Sequence, residues 1–244
     1  MKRKSLNLLA LETSSSILSV AVKKGRRKPV EKRLKGFFRH AENLLPMMDR
    51  LLKREKLTCS DIDVFLIGRG PGSFTGLRIG FATLKALRML QKKPCYGALS
   101  LDLIAAGIPA RPGALLCVTL DARKEKLFSR FYQAGKNGWA PRGEAALETF
   151  DTWASSLPEG VLIAGDALHR YAEPLRGRGL KFRALSARYQ TPSALPLIEG
   201  FEKKRSAAAS CPGLQRLRGP EDEIPLYFRL SEAEERRRHA SFHA

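Results

Sequence analysis

Residues 69–80 read RGPGSFTGLRIG, set between the apolar run Val64-Phe65-Leu66-Ile67 and a helical pattern that continues to about Leu90. A strand that enters a glycine-rich turn and opens a helix leaves backbone amides free, and such amides can hold an anion. Gly70 and Gly72 permit positive φ or a close backbone approach, Pro71 pushes Gly70 out of the helical region, and Ser73 has the side chain of a helix cap. No Lys-Ser or Lys-Thr pair follows and the glycine spacing is not G-x-G-x-x-G, so the loop is not a P-loop. Gly72, Gly76 and Gly80 recur every four residues, which on a helix makes an edge without side chains. Three uses of that edge stay open: an anion site, packing of the helix on its own sheet, and docking of a partner helix.

Two acids open polar turns: Glu12, followed by Thr13, Ser14, Ser15 and Ser16, and Asp121, followed by Ala122, Arg123 and Lys124. With Gly70, Gly72 and Ser73, the residues Glu12, Thr13, Ser14, Asp121 and Arg123 are the candidates for weak nucleotide or anion binding. Other chemistry finds little support. His40 and His169 are the only histidines before the tail, and no nucleophile elbow G-x-S-x-G occurs. His40 stands where it caps or precedes a helix. Cys59, Cys95, Cys117 and Cys211 are far apart with no C-x-x-C pair, which suggests neither a zinc site nor a disulfide framework and fits a reducing cytosol. His239 and His243, without further ligands, read as a solvated end. No metal site and no catalytic residue is expected.

The elements that must position these groups follow from periodicity. Residues 6–11, 17–23 and 30–36 alternate as three antiparallel strands, and residues 41–56 carry Leu44, Leu45, Met47, Met48, Leu51 and Leu52 at helical spacing. A strand at 64–68, the glycine-led helix and a strand at 94–98 complete a first unit. After the Gly/Pro-rich break at 107–113 the order begins again: strands at 114–120, 126–133 and 139–147, a helix at 150–157 and a strand at 161–164. A helix is expected from 195 to about 205, a loop over 206–223, an extended segment at 225–230, and a last helix from 231. These boundaries divide the chain into lobes 1–108 and 109–230 and a tail 231–244.

Net charge is +20, and residues 1–122 hold 23 Lys/Arg against 9 Asp/Glu. Two readings stay open. Lys23, Lys24, Arg26, Arg27, Lys28, Lys32, Arg33, Lys35 and Arg39 form a phosphate-binding face for RNA, or they are merely solvated. No aromatic residue is interleaved through 23–35, and Phe37 and Phe38 are the nearest candidates for stacking on bases. No apolar run approaches the ~18 residues of a membrane span, so a cytoplasmic protein without membrane contact is expected.

Taken together, RGPGSFTGLRIG, ALETS (10–14), HAENLLPM (40–47), LDAR (120–123) and PLYFR (225–229) resemble the TsaB (YeaZ) family, the companion subunit in bacterial tRNA threonylcarbamoyladenosine synthesis. The resemblance is dense to about Arg123 and thin from there to about 220. It implies an α/β, two-lobed actin-like ATPase (ribonuclease H-like) fold with duplicated ββ(β)αβα lobes. It also implies a non-catalytic role beside a TsaD-like transferase and a TsaE-like ATPase, acting on tRNA, with a homodimer when the chain is alone. In that family the partners meet through helices matching those that begin at His40 and Ser73. The interface expected here comprises His40, Leu44, Leu45, Met48, Leu51, Leu52, Phe74, Gly76, Leu77, Gly80, Phe81 and Leu84. The resemblance implies ATP and magnesium for the complex and no cofactor for this subunit. The histidine motif that binds metal in the TsaD family has no counterpart in Leu99-Ser-Leu-Asp-Leu-Ile104, and neither hairpin turn carries the glycine of a phosphate clamp. An independent actin-like kinase or acyl transferase using Glu12 and Asp121, and a basic tRNA-binding module, are the alternatives.

Overall fold

In the computed structural model, which describes residues 5–36, 39–206, 211–219, 222 and 224–226, the opening alternation becomes a meander. β1 (Leu8–Glu12) pairs antiparallel with β2 (Ile17–Lys23), and β3 (Val30–Lys35) adds to β2 as an edge strand. α1 (His40–Arg54) then crosses to β4 (Val64–Gly68), parallel to β1, and α2 (Phe74–Gln91) crosses to β5 (Cys95–Ala98), parallel to β4. Period-two alternation divides the strands between two layers. Leu9, Leu11, Phe65 and Ile67 meet α1 and α2, while Leu8, Ala10, Val64 and Leu66 face the other way.

α3 (Ser100–Ala106) leads to a second copy of the order. β6 (Leu115–Arg123), β7 (Lys126–Gly135) and β8 (Gly138–Thr149) form the meander. α4 (Phe150–Ser156), β9 (Val161–Ala164), α5 (Leu168–Gly177) and β10 (Phe182–Ala184) follow, and α6 (Leu195–Arg205) and β11 (Gln215–Leu217) end the described elements. The sheet orders are β11-β5-β4-β1-β2-β3 and β10-β9-β6-β7-β8. Apart from β11 the two have the same order, with the first strand of each lobe central and flanked by its hairpin partner and its parallel neighbour. This is the duplicated two-lobed actin-like, ribonuclease H-like architecture.

The lobes are interleaved more than the expected boundaries at 108 and 230 allow. α3, expected in the first lobe, buries Leu101, Ile104 and Ala105 against Leu116, Val118 and Leu120 of the second sheet. α6, expected in the second, buries Leu197, Ile198 and Phe201 against Leu8, Ala10 and Leu66 of the first. β11 falls within the expected loop and pairs antiparallel with β5, Gln215 opposite Gly97. Each sheet needs a second apolar layer, and each obtains it from a helix at the junction of the lobes. The expected helix from 231, most of the extended segment at 225–230, Phe37, Phe38, His239 and His243 lie outside the described residues. Among the described residues no helix is long and apolar enough to cross a membrane.

Candidate functional site

Glu12 ends β1, and the turn after it is packed shut: Glu12 and Thr13 are fully buried, and Ser14 and Ser15 nearly so. The bare edge of α2 lies over this turn. A Cβ at Gly72 would overlap the Ser14 carbonyl, one at Gly76 the Thr13 carbonyl, and one at Gly80 the Thr13 hydroxyl. Ser73 N donates to Ser14 O at 2.6 Å, and the Ser73 hydroxyl accepts from Gly76 N at 3.2 Å. The glycine edge thus packs on the chain's own hairpin turn, and two amides that the anion reading needs are already bonded.

The Glu12 carboxyl fills the space over Gly68, where a Cβ would overlap it, and accepts from Ser14 N at 2.6 Å and Ser100 Oγ at 3.1 Å. Burial pushes its pKa up from the ordinary carboxylate value, and the hydrogen bonds from Ser14 and Ser100 oppose the shift. The loop beyond is also committed. Gly70 has φ +89° and Gly72 φ +155°, values that favour glycine, and Ser100 N donates to Gly70 O at 2.7 Å. Leu226 N donates to Arg69 O at 2.9 Å, so the PLYFR segment begins by strapping the RGPG loop, which gives two motifs far apart in sequence one physical role.

The second turn is open. Asp121 is exposed, and its carboxylate accepts from Arg123 N at 2.8 Å, while its own amide donates to Asp166 Oδ1 at 2.8 Å. Arg123, Lys124 and Glu125 all have left-handed φ, 61°, 47° and 60°, an unusual run without glycine. Burial pushes the Asp166 carboxyl up to about 6, with the Asp121 charge adding to the shift and the bond from the Asp121 amide opposing it. Glu12 and Asp121 are partnered separately, the first by Ser14 and Ser100, the second by Arg123. Among the described residues no group of three or more His, Cys, Asp or Glu is placed to hold a metal ion.

Sequence reasoning missed a buried charge between the lobes. Asp102 of α3 is fully buried and accepts from Arg130 Nη1 at 2.9 Å and Tyr132 Oη at 2.7 Å, both on β7. Burial pushes the Asp102 carboxyl up to about 6, against the pull of Arg130. Removing one partner would strand the other in the interior, at a cost of about 3–5 kcal/mol. The signal available was one acid inside the apolar run Leu-Ser-Leu-Asp-Leu-Ile.

The expected interface needs correction. Leu44, Met48, Leu51, Leu52, Leu77, Phe81 and Leu84 are at most 3% exposed, and all of them but Leu77 belong to one core cluster with Leu9, Leu11, Val20 and Phe65. Gly76 and Gly80 are covered by the hairpin turn, and His40 is buried with Nδ1 3.1 Å from Gly36 O, its pKa lowered by burial. Sequence periodicity identifies an apolar face, and here that face is needed by the sheet. Of the expected set, Leu45 is exposed and Phe74 half-buried, its ring 4.0 Å from the Arg78 guanidinium. The large hydrophobic side chains that do face solvent among the described residues are Leu45 on α1, Met89 and Leu90 in the last turn of α2, and Ile224.

Fold and turn together define a two-lobed actin-like protein whose first hairpin turn is closed on its own helix. A family model described as "TsaD: tRNA N6-adenosine threonylcarbamoyltransferase" matches residues 37–192. The chain is 34% identical over 100 residues to the tRNA threonylcarbamoyladenosine biosynthesis protein TsaB of Escherichia coli, a match spanning 41% of this chain and 43% of that protein. It is 27% identical over 236 residues to the protein of the same name from Bacillus subtilis, covering 94% of this chain and 96% of that one. The solved structure of YeaZ from Pseudomonas aeruginosa superposes with a TM-score of 0.71 at 26% identity, covering 91% of this chain and all of that one. This chain belongs to the TsaD family, in its TsaB (YeaZ) group.

Proposed function

We propose that this chain is the companion subunit of a TsaD-like transferase in tRNA threonylcarbamoyladenosine formation and performs no transfer itself. The observation that carries the reading is the closed first turn: Glu12 and the Thr13 and Ser14 carbonyls are spent on Ser14, Ser100 and the α2 glycine edge. A lobe that uses its hairpin turn as internal packing keeps its outer helices as a surface for another protein. In the assembly a TsaE-like ATPase would join, using ATP and magnesium. Threonylcarbamoyl would pass from its adenylate to N6 of the adenosine beside the anticodon. An independent ATP-dependent transferase built on Glu12 and Asp121 would first have to free Glu12 from Ser14 and Ser100.

The partner would meet the outer faces of α1 and α2, through side chains other than those the periodicity selects. Leu45, Met89 and Leu90 are 58%, 80% and 78% exposed, and burying such side chains contributes about 1.5–3 kcal/mol each. The same faces would support a homodimer when the partner is absent. Leu45→Asp combined with Met89→Asp is expected to weaken association with the TsaD-like subunit at least tenfold in titration calorimetry while leaving thermal stability unchanged. Wild-type affinity in that variant would remove this surface from the assembly.

A further inference from the structure

We propose that the sheet edge formed by the β2–β3 turn, β3 and the adjoining end of α1 binds the phosphodiester backbone of RNA. Between residues 23 and 39 stand nine Lys/Arg against one acid, Glu31. That acid is turned inward, its carboxylate accepting from the Ser19 and Ser193 hydroxyls and from Ala194 N. Arg26, Arg27, Lys28, Lys32, Lys35 and Arg39 are exposed, and none has an ion-pair partner among the described residues. Arg33 is held by a neutral group, the Thr191 hydroxyl at 2.8 Å, and keeps its charge. Among the described residues β3 pairs only with β2, so these side chains line an edge of the described sheet.

The patch extends past the strand. Lys24 Nζ donates to the Glu55 and Lys56 carbonyls at 3.1 Å each, which ties the turn to the end of α1 where Arg54 and Lys56 are exposed. A six-residue strand spans about 20 Å, long enough for several consecutive phosphates of one strand. The edge has charge without an apolar centre. A protein partner would need a desolvated apolar core, whereas backbone phosphates need only cations and donors. No described side chain between 23 and 36 is aromatic, so the contact reads the backbone and not the bases.

The inference rests on the companion-subunit reading only for the identity of the RNA as tRNA, and it is tested on the chain alone. The probe is fluorescently labelled, unmodified tRNA in anisotropy titrations between 50 and 200 mM KCl. Wild-type affinity should fall with a log–log slope of about −3 to −5. The exposed triple substitution Arg26→Ala, Arg27→Ala, Lys28→Ala should reduce that slope by about 2–3 and weaken binding at 100 mM salt at least tenfold. Lys126→Ala, Lys136→Ala, Arg142→Ala removes the same charge from exposed positions of the second lobe and should bind nearly as wild type. Equal weakening by both triples would overturn the proposal, as would a flat salt response or equal displacement of tRNA by poly-L-glutamate. So would an edge variant that binds RNA normally but self-associates, because those cations would then be guards of an open strand. Co-purification of the edge variant with the TsaD-like subunit scores the companion reading separately.

Discussion

The two hairpin turns hold the same place in the duplicated topology and end in opposite conditions. Glu12 to Ser15 is buried under α2, whereas Asp121 and Arg123 to Glu125 face solvent with three left-handed residues in succession. The difference traces to the helix that each turn meets. Gly72, Gly76 and Gly80 let the first turn and α2 approach backbone to backbone. In the second lobe Gly165, between β9 and α5, meets strand β6 instead, where a Cβ would overlap the Thr119 carbonyl, and Gly177 of α5 approaches nothing. A duplicated sheet order therefore does not fix what its turns are for; the side chains absent from the neighbouring helix decide it.

Breaking the tight side of this comparison should have the largest effect. Gly76→Arg would drive a side chain into the Thr13 carbonyl and is expected to cost more than about 4 kcal/mol, seen as loss of soluble protein or of cooperative urea unfolding. An arginine accommodated without loss of stability would mean that the turn and helix are not in register. Glu12→Gln sharpens the comparison. Glutamine keeps an acceptor for Ser14 N and turns its amide toward the Ser100 hydroxyl, and it removes the buried charge. Because the folded pKa of Glu12 is raised, its contribution to stability is fully present below the ordinary carboxylate value and lost as pH rises through the folded value. The glutamine variant should match wild type near pH 4 and gain on it in thermal stability as pH rises toward 8. A wild-type protein that stays more stable than the variant at pH 8 would argue against the buried carboxyl. The smallest effect belongs to the open turn. Lys124→Gly should stabilise by about 1 kcal/mol by relieving a left-handed residue, and a destabilised variant in thermal unfolding would show that Lys124 holds the turn by its side chain.

Much of this was legible in the sequence. The order of strands and helices through 98, the capping role of Ser73 and the repeat after the 107–113 break follow from periodicity and turn chemistry. The use of the apolar stripes did not, because Leu44, Met48, Phe81 and Leu84 repeat identically whether the layer they meet is a sheet of the same chain or another subunit. Nor did the placing of α3 and α6 at the junction of the lobes, since a short helix carries no mark of the sheet that it covers. Asp102 was visible as an acid in an apolar run, but its partners Arg130 and Tyr132 lie 28 and 30 residues away on a strand. The glycine edge was readable as a place of close approach; that the approaching backbone belongs to the chain's own turn needed the fold.

The companion role is tested most directly by reconstituting threonylcarbamoyladenosine on unmodified tRNA with the TsaD-like subunit, the TsaE-like ATPase and a supplied threonylcarbamoyl-adenylate source, with and without this chain. The modified nucleoside should form only when this chain and the TsaD-like subunit are both present, and this chain alone should yield none. Modification by this chain without the TsaD-like subunit, or at an undiminished rate in its absence, would contradict the account.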